Sequence, residues 1–408
     1  MKILFVSQHY RPEPFRLSDI CEDLVERGHE VTVLTGIPNY PEGKIYADYR
    51  NKQNRRETIE GVTVFRSYTI PRGKSTLHRI LNYFSFAISS SIGVLLGQYK
   101  AKDGSEFDCV FVNQSSPVMM AWAGMAYKNK YKKPLFLYCM DVWPDSLTVG
   151  GVKQDSLIFK LFKFISKKVY RASDYIFVTS PSFKNHFVNQ FDITEQKITY
   201  LPQYAEDLFI PDESIVNKES VDLTFAGNIG KAQNLETILK AASLIEKNTD
   251  LPKKIHFHFV GDGTELLSMK ALAHELELKN VSFYGRRSLE EMPTFYKKSD
   301  AMLVSLIGDS IVSRTIPGKV QSYMAAGKPI IGAISGDTKT IVEEANCGYV
   351  SSEQDVEQLA QNICEFSMLS IEEQKELGMQ ARSYYEKHFS KEQFMTQLEK
   401  YLREEFSS

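Results

Sequence analysis

Several short motifs that identify common α/β enzymes are missing from this sequence. The loop after the first apolar run lacks G-x-G-x-x-G, which disfavours an NAD enzyme. The phosphate-binding pattern G-x-x-x-x-G-K-[ST] is also missing, so the chain is not a P-loop protein. No G-x-S-x-G elbow is present, which disfavours a serine hydrolase of the α/β type.

Cysteine pairs and an excess of charge are missing as well. The five cysteines form no C-x-x-C pair, which predicts free, mostly buried thiols in a reducing cytoplasm. His256 and His258 have no cysteine or carboxylate neighbour at a spacing typical of zinc sites, so we expect no metal. The net charge of −2 gives no reason to expect a nucleic-acid partner.

What the sequence has is a regular alternation of short apolar runs and helical patterns. We interpret the apolar runs, rich in Val, Ile and aromatic residues, as strands buried on both faces of parallel sheets. They occupy residues 3–6, 31–35, 62–65, 109–112, 135–138, 175–178, 223–226, 255–260, 281–284, 301–306 and 329–331. A length of 408 residues is typical of two or three domains.

A polar, proline-containing connection near residues 201–214 separates two such series. This pattern predicts an α/β chain with two doubly wound, Rossmann-like domains that face a cleft. We place the first domain at residues 1–203, the second at residues 204–388 and a final helix at residues 389–408.

Two helices of the first domain have unusual surfaces. Residues 80–99 carry no charge but contain several serines, so the helix at about residues 77–100 is too polar for a confident bilayer span of ~20 residues. The helix at about residues 155–171 interleaves lysines with large apolar residues. Both patterns suit a membrane interface with anionic lipid, and an internal helix with a solvated edge is the alternative.

Polar residues follow two of the predicted strands in the first domain. Glu13 and Arg16 lie in the loop after the first strand, where a carboxylate can meet a sugar hydroxyl and an arginine a phosphate. Asp141, Trp143 and Asp145 follow the strand at residues 135–138 and resemble a carbohydrate-binding surface with an apolar platform. The alternatives are a solvated loop for the first group, and an Asp145 that only starts the next turn.

In the second domain, three strand-to-helix segments are candidates for binding phosphate. Residues 227–231 include Gly227, Asn228, Gly230 and Lys231, and glycines allow a backbone to approach a phosphate closely. Arg286, or its neighbour Arg287, follows another strand.

The third segment, residues 315–331, predicts a short helix that begins at Pro317 and ends at Gly327. The free amides at its start, with Gly318 and Lys319 beside them, form an anion site. The alternative is a packed helix of any α/β domain. Val320, Tyr323 and Met324 recur at helical spacing and predict its buried face.

Taken jointly, five stretches resemble family 4 glycosyltransferases with the two-domain GT-B fold. Among these, the chain is most similar to bacterial enzymes that transfer N-acetyl-L-fucosamine (L-FucNAc) or a related amino sugar in O-antigen or capsule synthesis. The stretches are residues 27–35 (RGHEVTVLT), 38–41 (PNYP), 141–145 (DVWPD), 225–233 (FAGNIGKAQ) and 315–331.

The resemblance implies a UDP-sugar donor held by the second domain and an acceptor held by the first, with no metal or other cofactor. The implied acceptor is a lipid-linked sugar diphosphate of the undecaprenyl-diphosphate type. The enzyme would then be peripheral on the cytoplasmic face of the inner membrane. The last helix would cross back to the first domain. A GT-B nucleotide-sugar epimerase and a catalytically silent GT-B partner of an assembly complex are the alternatives.

The chain also departs from this family. The glutamates usual in family 4 correspond here to Arg314 and Ser322, and the usual arginine and lysine to Asn228 and Gln233. We therefore predict substitutes. For the donor these are the residues of the loop and helix named above, with Lys319, Lys231 and Arg286 on the diphosphate and Gln321 or Ser322 on the ribose. The catalytic candidates are Asp141 and Glu13, and the acceptor candidates are Arg16, Trp143 and Asp145.

Overall fold

The structure, a computed structural model, describes residues 1–73, 75–211, 219–248, 251–308, 311 and 315–407. The chain divides into two compact units. The first comprises Met1–Leu201 with Gln397–Ser408, and the second comprises Pro202–Thr396. Each unit has its own sheet with helices between the strands, so the prediction of two Rossmann-like α/β domains is confirmed.

The first unit contains an eight-stranded sheet in the order β3-β4-β2-β1-β5-β6-β7-β8. Its strands are β1 (Lys2–Val6), β2 (Glu30–Thr35), β3 (Arg56–Ile59), β4 (Val62–Arg66), β5 (Cys109–Gln114), β6 (Leu135–Cys139), β7 (Tyr175–Val178) and β8 (Ile198–Tyr200). Its helices are α1 (Leu17–Glu26), α2 (Thr76–Leu95), α3 (Trp122–Tyr131), α4 (Ser146–Val149), α5 (Leu157–Ala172) and α6 (Pro181–Phe191).

Strand β1 is central, and its residues from Ile3 to Val6 are apolar and buried, as expected of a strand covered on both faces. It pairs in parallel with β2 on one side and with β5 on the other. The chain thus first builds the sheet in one direction from β1 and then in the opposite direction. The carboxyl ends of β1 and β5 meet at this change of direction, where open α/β sheets bind ligands.

Two strands of this sheet were not predicted. Strand β3 pairs antiparallel with β4 at the edge of the sheet, and its side chains alternate between exposed and half-buried. Strand β8 is three residues long and pairs with β7 at the other edge. Edge strands need no continuous apolar run, so the signal that identifies central strands is weak in both.

The second unit contains a six-stranded sheet in the order β11-β10-β9-β12-β13-β14, and every pair is parallel. Its strands are β9 (Ser220–Ala226), β10 (Lys254–Val260), β11 (Val281–Gly285), β12 (Ala301–Ser305), β13 (Ile330–Ala333) and β14 (Gly348–Ser351). The helices from residue 235 onward are α7 (Leu235–Glu246), α8 (Leu266–Glu275), α9 (Met292–Lys298), α10 (Gly318–Ala325), α11 (Gly336–Glu344), α12 (Val356–Met368), α13 (Ile371–His388) and α14 (Lys391–Ser407).

Helix α10 is the helix predicted within residues 315–331, with one correction at its start. Val320, Tyr323 and Met324 are fully buried, as their spacing predicts. Pro317, however, is the N-cap with an extended backbone, so the helix begins at Gly318. The Tyr323 hydroxyl donates to the carbonyl of Ala226 at 3.1 Å, which fixes α10 against the end of β9.

Helix α14 buries the three residues predicted to share one side, Phe394, Leu398 and Leu402. From Gln397 onward it groups with the first unit. There the Glu399 carboxylate lies 2.8 Å from His29 Nε2 and 3.2 Å from Arg27 Nη1. Among the helices described, none is both long enough and apolar enough to cross a bilayer.

Candidate functional site

Three loops of the first unit follow neighbouring strands and end at the same edge of the sheet. They follow β1, β5 and β6, and they carry Glu13, Ser116 and Asp141 respectively. Since the carboxyl ends of parallel strands lie together, these loops form one candidate surface for an acceptor.

Glu13 is buried and both of its carboxylate oxygens are engaged within the unit. Oε1 accepts the backbone N–H groups of Asn39 and Tyr40 at 2.8 and 2.7 Å, and Oε2 lies 2.9 Å from His9 Nδ1. The His9 ring is stacked on Phe15 with a centroid distance of 4.6 Å. Sequence reasoning missed His9, although its spacing of four residues from Glu13 was visible.

Asp141 follows β6 and is held by two side-chain donors. Its Oδ2 accepts the Ser116 hydroxyl and, at 3.1 Å, the indole Nε1 of Trp143. Burial raises the pKa of the Asp141 carboxyl, and the hydrogen bonds from Ser116 and Trp143 oppose part of that increase. A carboxyl with a raised pKa at the edge of a sheet is a candidate for acid–base chemistry or for binding a hydroxyl. Ser116 lies 25 residues away along the chain, so no local pattern predicts this contact.

Trp143 requires a correction, because its ring offers no open platform for a sugar. The side chain is buried, packs edge-on against Phe162 at 5.3 Å and donates from Nε1 to Ser116 Oγ at 2.9 Å. Its backbone N–H donates to the Tyr170 hydroxyl at 3.0 Å. The indole therefore helps to fix Asp141 instead of presenting a surface to solvent.

Two further acceptor candidates lie at this edge. Asp145 directly precedes α4 without capping it, and its Oδ2 lies 3.1 Å from His186 Nε2 on α6. Arg16 directly precedes α1 and is half-buried. Burial raises the pKa of the Tyr138 hydroxyl at the end of β6, and the charge of Arg16 opposes this increase. Arg16 and Asp145 thus lie on loops of the same edge, which follow β1 and β6 respectively.

In the second unit, the side chain of Lys319 defines the candidate anion site. Its Nζ is buried, has no hydrogen-bond partner among the described residues and lies 3.6 Å from the centroid of the Phe225 ring. Burial lowers the pKa of this amine to about 7. A Cβ added at Gly227 would lie 3.1 Å from Nζ, so a larger residue there would crowd the amine. Lys319, in the first turn of α10, therefore places its amine against the loop that follows β9.

The helix that follows the loop at residues 227–231 is α7, but the chain does not enter it directly. A 3-10 turn at Lys231–Gln233 and a left-handed Asn234 come next, so α7 begins only at Leu235. Gly230 lies in this loop, and its N–H donates to the Gln233 side chain. The first amides of α7 are thus separated from the loop, and α10 supplies the helix terminus beside it.

Three predicted donor contacts of the second unit are polar and exposed. Asn228 donates to Gln233 Oε1 at 3.3 Å, and Lys231 and Arg286 are exposed to solvent. Strand β11, which Arg286 follows, is separated from β9 by β10. At ~4.8 Å per strand, the start of the Arg286 loop lies about 10 Å from the end of β9.

Gln321 and Ser322 point inward from α10. The Gln321 amide is buried. In the amide orientation that satisfies its hydrogen bonds, its nitrogen donates to the Pro317 carbonyl at 2.9 Å, so Gln321 closes the first turn and its assignment to a ribose is corrected. The Ser322 hydroxyl donates to Gly318 O at 3.2 Å and lies 3.4 Å from the Glu206 carboxylate. Glu206, which sequence reasoning missed, brings a carboxylate to the position where the family resemblance implies one. Arg314 lies outside the described residues.

In the part of the chain that the structure describes, no group of three His, Cys, Asp or Glu side chains could hold a metal ion. His258 does have a carboxylate neighbour, which sequence spacing did not reveal. Its Nε2 lies 2.9 Å from Asp222 Oδ1 on β9, and its Nδ1 lies 2.9 Å from the Tyr284 hydroxyl.

Two family models match the chain one after the other. The model of Glycosyltransferase Family 4 matches residues 16–203, and the model of Glycosyl transferases group 1 matches residues 208–384. A similar protein is WcaI of Escherichia coli K12, named as a glycosyl transferase of colanic acid biosynthesis. It is 26% identical over 354 residues, which cover 80% of this chain and 82% of WcaI.

Solved structures share the fold over nearly the whole chain. A sucrose-phosphate synthase from Thermosynechococcus elongatus has a TM-score of 0.76 at 15% identity and covers 99% of both chains. The Anabaena protein HepE, solved with UDP and glucose, has a TM-score of 0.68 at 15% identity and also covers 99% of both. The two Rossmann-like units therefore form a GT-B fold.

Proposed function

Because the chain carries a Glycosyltransferase Family 4 domain followed by a Glycosyl transferases group 1 domain, we propose that it moves a sugar from a UDP-sugar to a lipid-linked sugar diphosphate. The product belongs to a bacterial surface polysaccharide such as an O antigen or a capsule. The similarity to WcaI supports this class of product, and the UDP held by HepE supports the donor. By family resemblance, the sugar is an N-acetylated amino sugar such as L-FucNAc.

One observation carries the donor assignment, the buried and unpartnered amine of Lys319 at the start of α10. The charged form of an amine that contacts neither water nor a carboxylate is stabilised when an anion binds beside it. The amides at the start of an α-helix favour the same charge. A diphosphate bound here neutralises the positive charge of Lys319 and that of the helix start. The same two groups stabilise the negative charge that develops on the diphosphate during transfer, without a metal ion.

The other donor contacts surround this centre. The backbone of residues 227–231 approaches the phosphates closely, and Lys231 and Arg286 add positive charge from the solvent side. Ser322, with Glu206 beside it, is the candidate for the ribose hydroxyls. A hydrogen bond to a charged group contributes about 1.5–3 kcal/mol, so a few such contacts replace the family residues that this chain lacks.

On the acceptor side, we assign Asp141 and Glu13 as the carboxylates that serve the reaction, with Arg16 and Asp145 as further acceptor contacts. Asp141 in its ionised form accepts a hydrogen bond from an acceptor hydroxyl. Ser116 and Trp143 fix its direction. Orientation of the attacking hydroxyl lowers the entropic part of the barrier.

The surface of α2 supports a membrane-bound acceptor, because several large apolar side chains face outward from this helix. Asn82 and Ser90 face inward and are fully buried, whereas Ile88, Ile92 and Leu95 are exposed by 48, 50 and 57%. Asn82 donates to the carbonyl of Ile70, and Ser90 donates to a carbonyl of its own helix. An apolar stripe that faces outward over several turns is typical of a helix lying in a membrane interface.

Helix α5 has the same property with added positive charge. Leu157, Leu161 and Phe164 are exposed by 83, 56 and 57%, with Lys160 and Lys168 among them. Helices α2 and α5 both contact α3 and the 3-10 turn at Val118–Ala121, so they lie on the same side of the first sheet. We propose that this side docks on anionic lipid at the cytoplasmic face of the inner membrane, where a lipid-linked acceptor resides.

A transfer assay tests the proposal. Purified protein is incubated with UDP-sugars, including UDP-L-FucNAc, with and without a lipid-diphosphate-linked sugar in vesicles. The expected result is release of UDP that depends on the acceptor, together with an acceptor product one sugar larger. Conversion of the donor without acceptor indicates an epimerase, and UDP binding without turnover indicates a silent partner. Either result contradicts the proposal.

A further inference from the structure

His9 lies in the loop that follows β1, at the carboxyl edge of the first sheet. It lies three residues after β1, whose carboxyl end adjoins that of β5. The loop is held in place there, since Ser7 N–H donates to Leu34 O and Gly36 N–H donates to Gln8 O, both at 3.1 Å. The position of His9 is therefore fixed by β1 and β2 together, at the edge where the proposed acceptor binds.

The environment of His9 fixes both its tautomer and its orientation. Two backbone N–H groups donate to Oε1 of Glu13, which stabilises the carboxylate as an acceptor. His9 Nδ1 is then the donor in its 2.9 Å hydrogen bond to Oε2. This arrangement leaves Nε2 of the neutral ring with a lone pair that can accept a proton.

The ring is also clamped on its faces. Phe15 stacks on it at 4.6 Å with an angle of 8° between planes, and the Tyr40 ring lies 5.6 Å away at 57°. Two titratable groups contact this imidazole, Glu13 through a hydrogen bond and Tyr40 through its ring. A nitrogen base oriented by a buried carboxylate is the arrangement that activates hydroxyl groups in many unrelated enzymes.

We propose that His9 Nε2 accepts the proton of the acceptor hydroxyl during sugar transfer, and that Glu13 positions the imidazole for this step. The inference rests on the proposed glycosyl transfer. It refines the role of Glu13, whose two oxygens are already occupied by Asn39, Tyr40 and His9, from direct contact with substrate to positioning through His9.

The atoms of the step balance without a further reactant. A bond forms between the acceptor oxygen and C1 of the donor sugar, and the bond between C1 and the phosphate oxygen breaks with its electron pair on UDP. The acceptor proton moves to Nε2, and the positive charge that develops on the ring is stabilised by Glu13. Asp141 orients the hydroxyl from the loop after β6, at the same edge of the sheet.

The test compares His9→Gln and Glu13→Gln with the wild type at saturating UDP-sugar. We expect kcat of His9→Gln to fall about 10²- to 10⁴-fold, the usual contribution of a general base. The KM for acceptor and the Kd for UDP should change less than about threefold. Glu13→Gln should lower kcat on the order of 10²-fold, because an amide no longer selects the tautomer. In His9→Gln, the fall of kcat at low pH should disappear.

Chemical rescue and a matched variant separate chemistry from folding. His9→Ala should regain part of its kcat as imidazole is added, which a merely structural histidine does not explain. His274→Gln, at an exposed position of α8, should retain wild-type kcat.

Equal kcat values for wild type and His9→Gln would overturn the proposal and leave the transfer function intact. The same conclusion holds if His9→Gln binds UDP normally and has a reduced kcat that still falls at low pH, while imidazole fails to raise the kcat of His9→Ala. If the wild type releases no UDP in the presence of acceptor, the proposed function fails and this inference fails with it.

Discussion

The Nζ atom of Lys319 lies 3.6 Å from the centre of the Phe225 ring, and no described residue accepts a hydrogen bond from it. The ring face offers the ammonium only a weak electrostatic partner. The amine therefore carries a desolvation penalty when charged, and an incoming diphosphate removes that penalty. Binding of the nucleotide and protonation of Lys319 are thus coupled.

This coupling predicts that UDP binding takes up a proton at pH 8. The pKa of Lys319 is lowered to about 7 by burial, so the amine is mostly neutral at pH 8, and the bound diphosphate raises the pKa again. Isothermal titration calorimetry in buffers of different ionisation enthalpy measures the uptake. Lys319→Met should abolish it and weaken UDP binding about 10- to 100-fold. Lys240→Met, at an exposed position of α7, is the matched control. Equal proton uptake by wild type and Lys319→Met would contradict the coupling.

The same lysine should make stability depend on pH in a defined direction. Its pKa is about 7 in the folded chain against 10.5 for the unconstrained side chain, so between these values the unfolded chain binds more protons. The free energy of unfolding therefore rises with pH between these two values, and the full cost of burying the charged amine is present below pH 7. Lys319→Met should be more stable than wild type by a few kcal/mol at pH 6, on the order of 1.4 kcal/mol per pKa unit.

Urea unfolding at pH 6 and pH 9.5 measures this effect in the absence of nucleotide. The advantage of Lys319→Met should shrink at pH 9.5. If Lys319→Met is more stable than the wild type by the same amount at pH 6 and at pH 9.5, protonation of Lys319 does not destabilise the folded chain and the prediction fails.

The exposed apolar surface of α5 predicts a loss of lipid binding without a loss of stability. Leu157→Ser removes a side chain that is 83% exposed, so the folded core is unaffected. If Leu157 enters the membrane interface, its loss costs about 1.5–3 kcal/mol of binding, or at least a tenfold weaker partition. Flotation with vesicles that contain anionic lipid measures the change. Leu267→Ser on α8, which is 81% exposed in the second unit, should float like the wild type. Equal loss in both variants, or flotation of none of the proteins, would contradict the docking surface.

The sequence predicted central strands well because a strand buried on both faces needs a run of apolar residues. The run at residues 175–178 matches β7 at both ends. The loops that hold the candidate site were also predictable, because ligands bind at the carboxyl ends of parallel strands. The contacts within the site were not predictable, because they join distant parts of the chain. Ser322 meets Glu206 across 116 positions, and Asp145 meets His186 across 41.

Burial of individual side chains was equally hidden from the sequence. Trp143 in an acidic loop suggested a sugar platform, and only the packing of Phe162 against it places the ring inside. Gln321 suggested a ribose contact, and only the cap geometry of α10 shows that its amide serves the helix. Local patterns thus predict which loops hold the site, whereas tertiary packing decides which of their side chains face a ligand.

The hydrogen bond from Ser116 to Asp141 predicts how acid affects acceptor binding. Burial raises the pKa of the Asp141 carboxyl, and the Ser116 hydroxyl lowers it by stabilising the ionised form. Ser116→Ala removes this donor, so the pKa rises further and Asp141 becomes protonated at higher pH. Because the ionised carboxylate accepts the acceptor hydroxyl, the KM for acceptor should rise as pH falls, and in Ser116→Ala this rise should begin at higher pH. Steady-state kinetics between pH 5 and 9 measure the shift, while UDP affinity should stay unchanged. Asp141→Asn should show a high KM that no longer varies with pH in this range. A variant Ser116→Ala with the wild-type pH profile would remove Asp141 from the acceptor site.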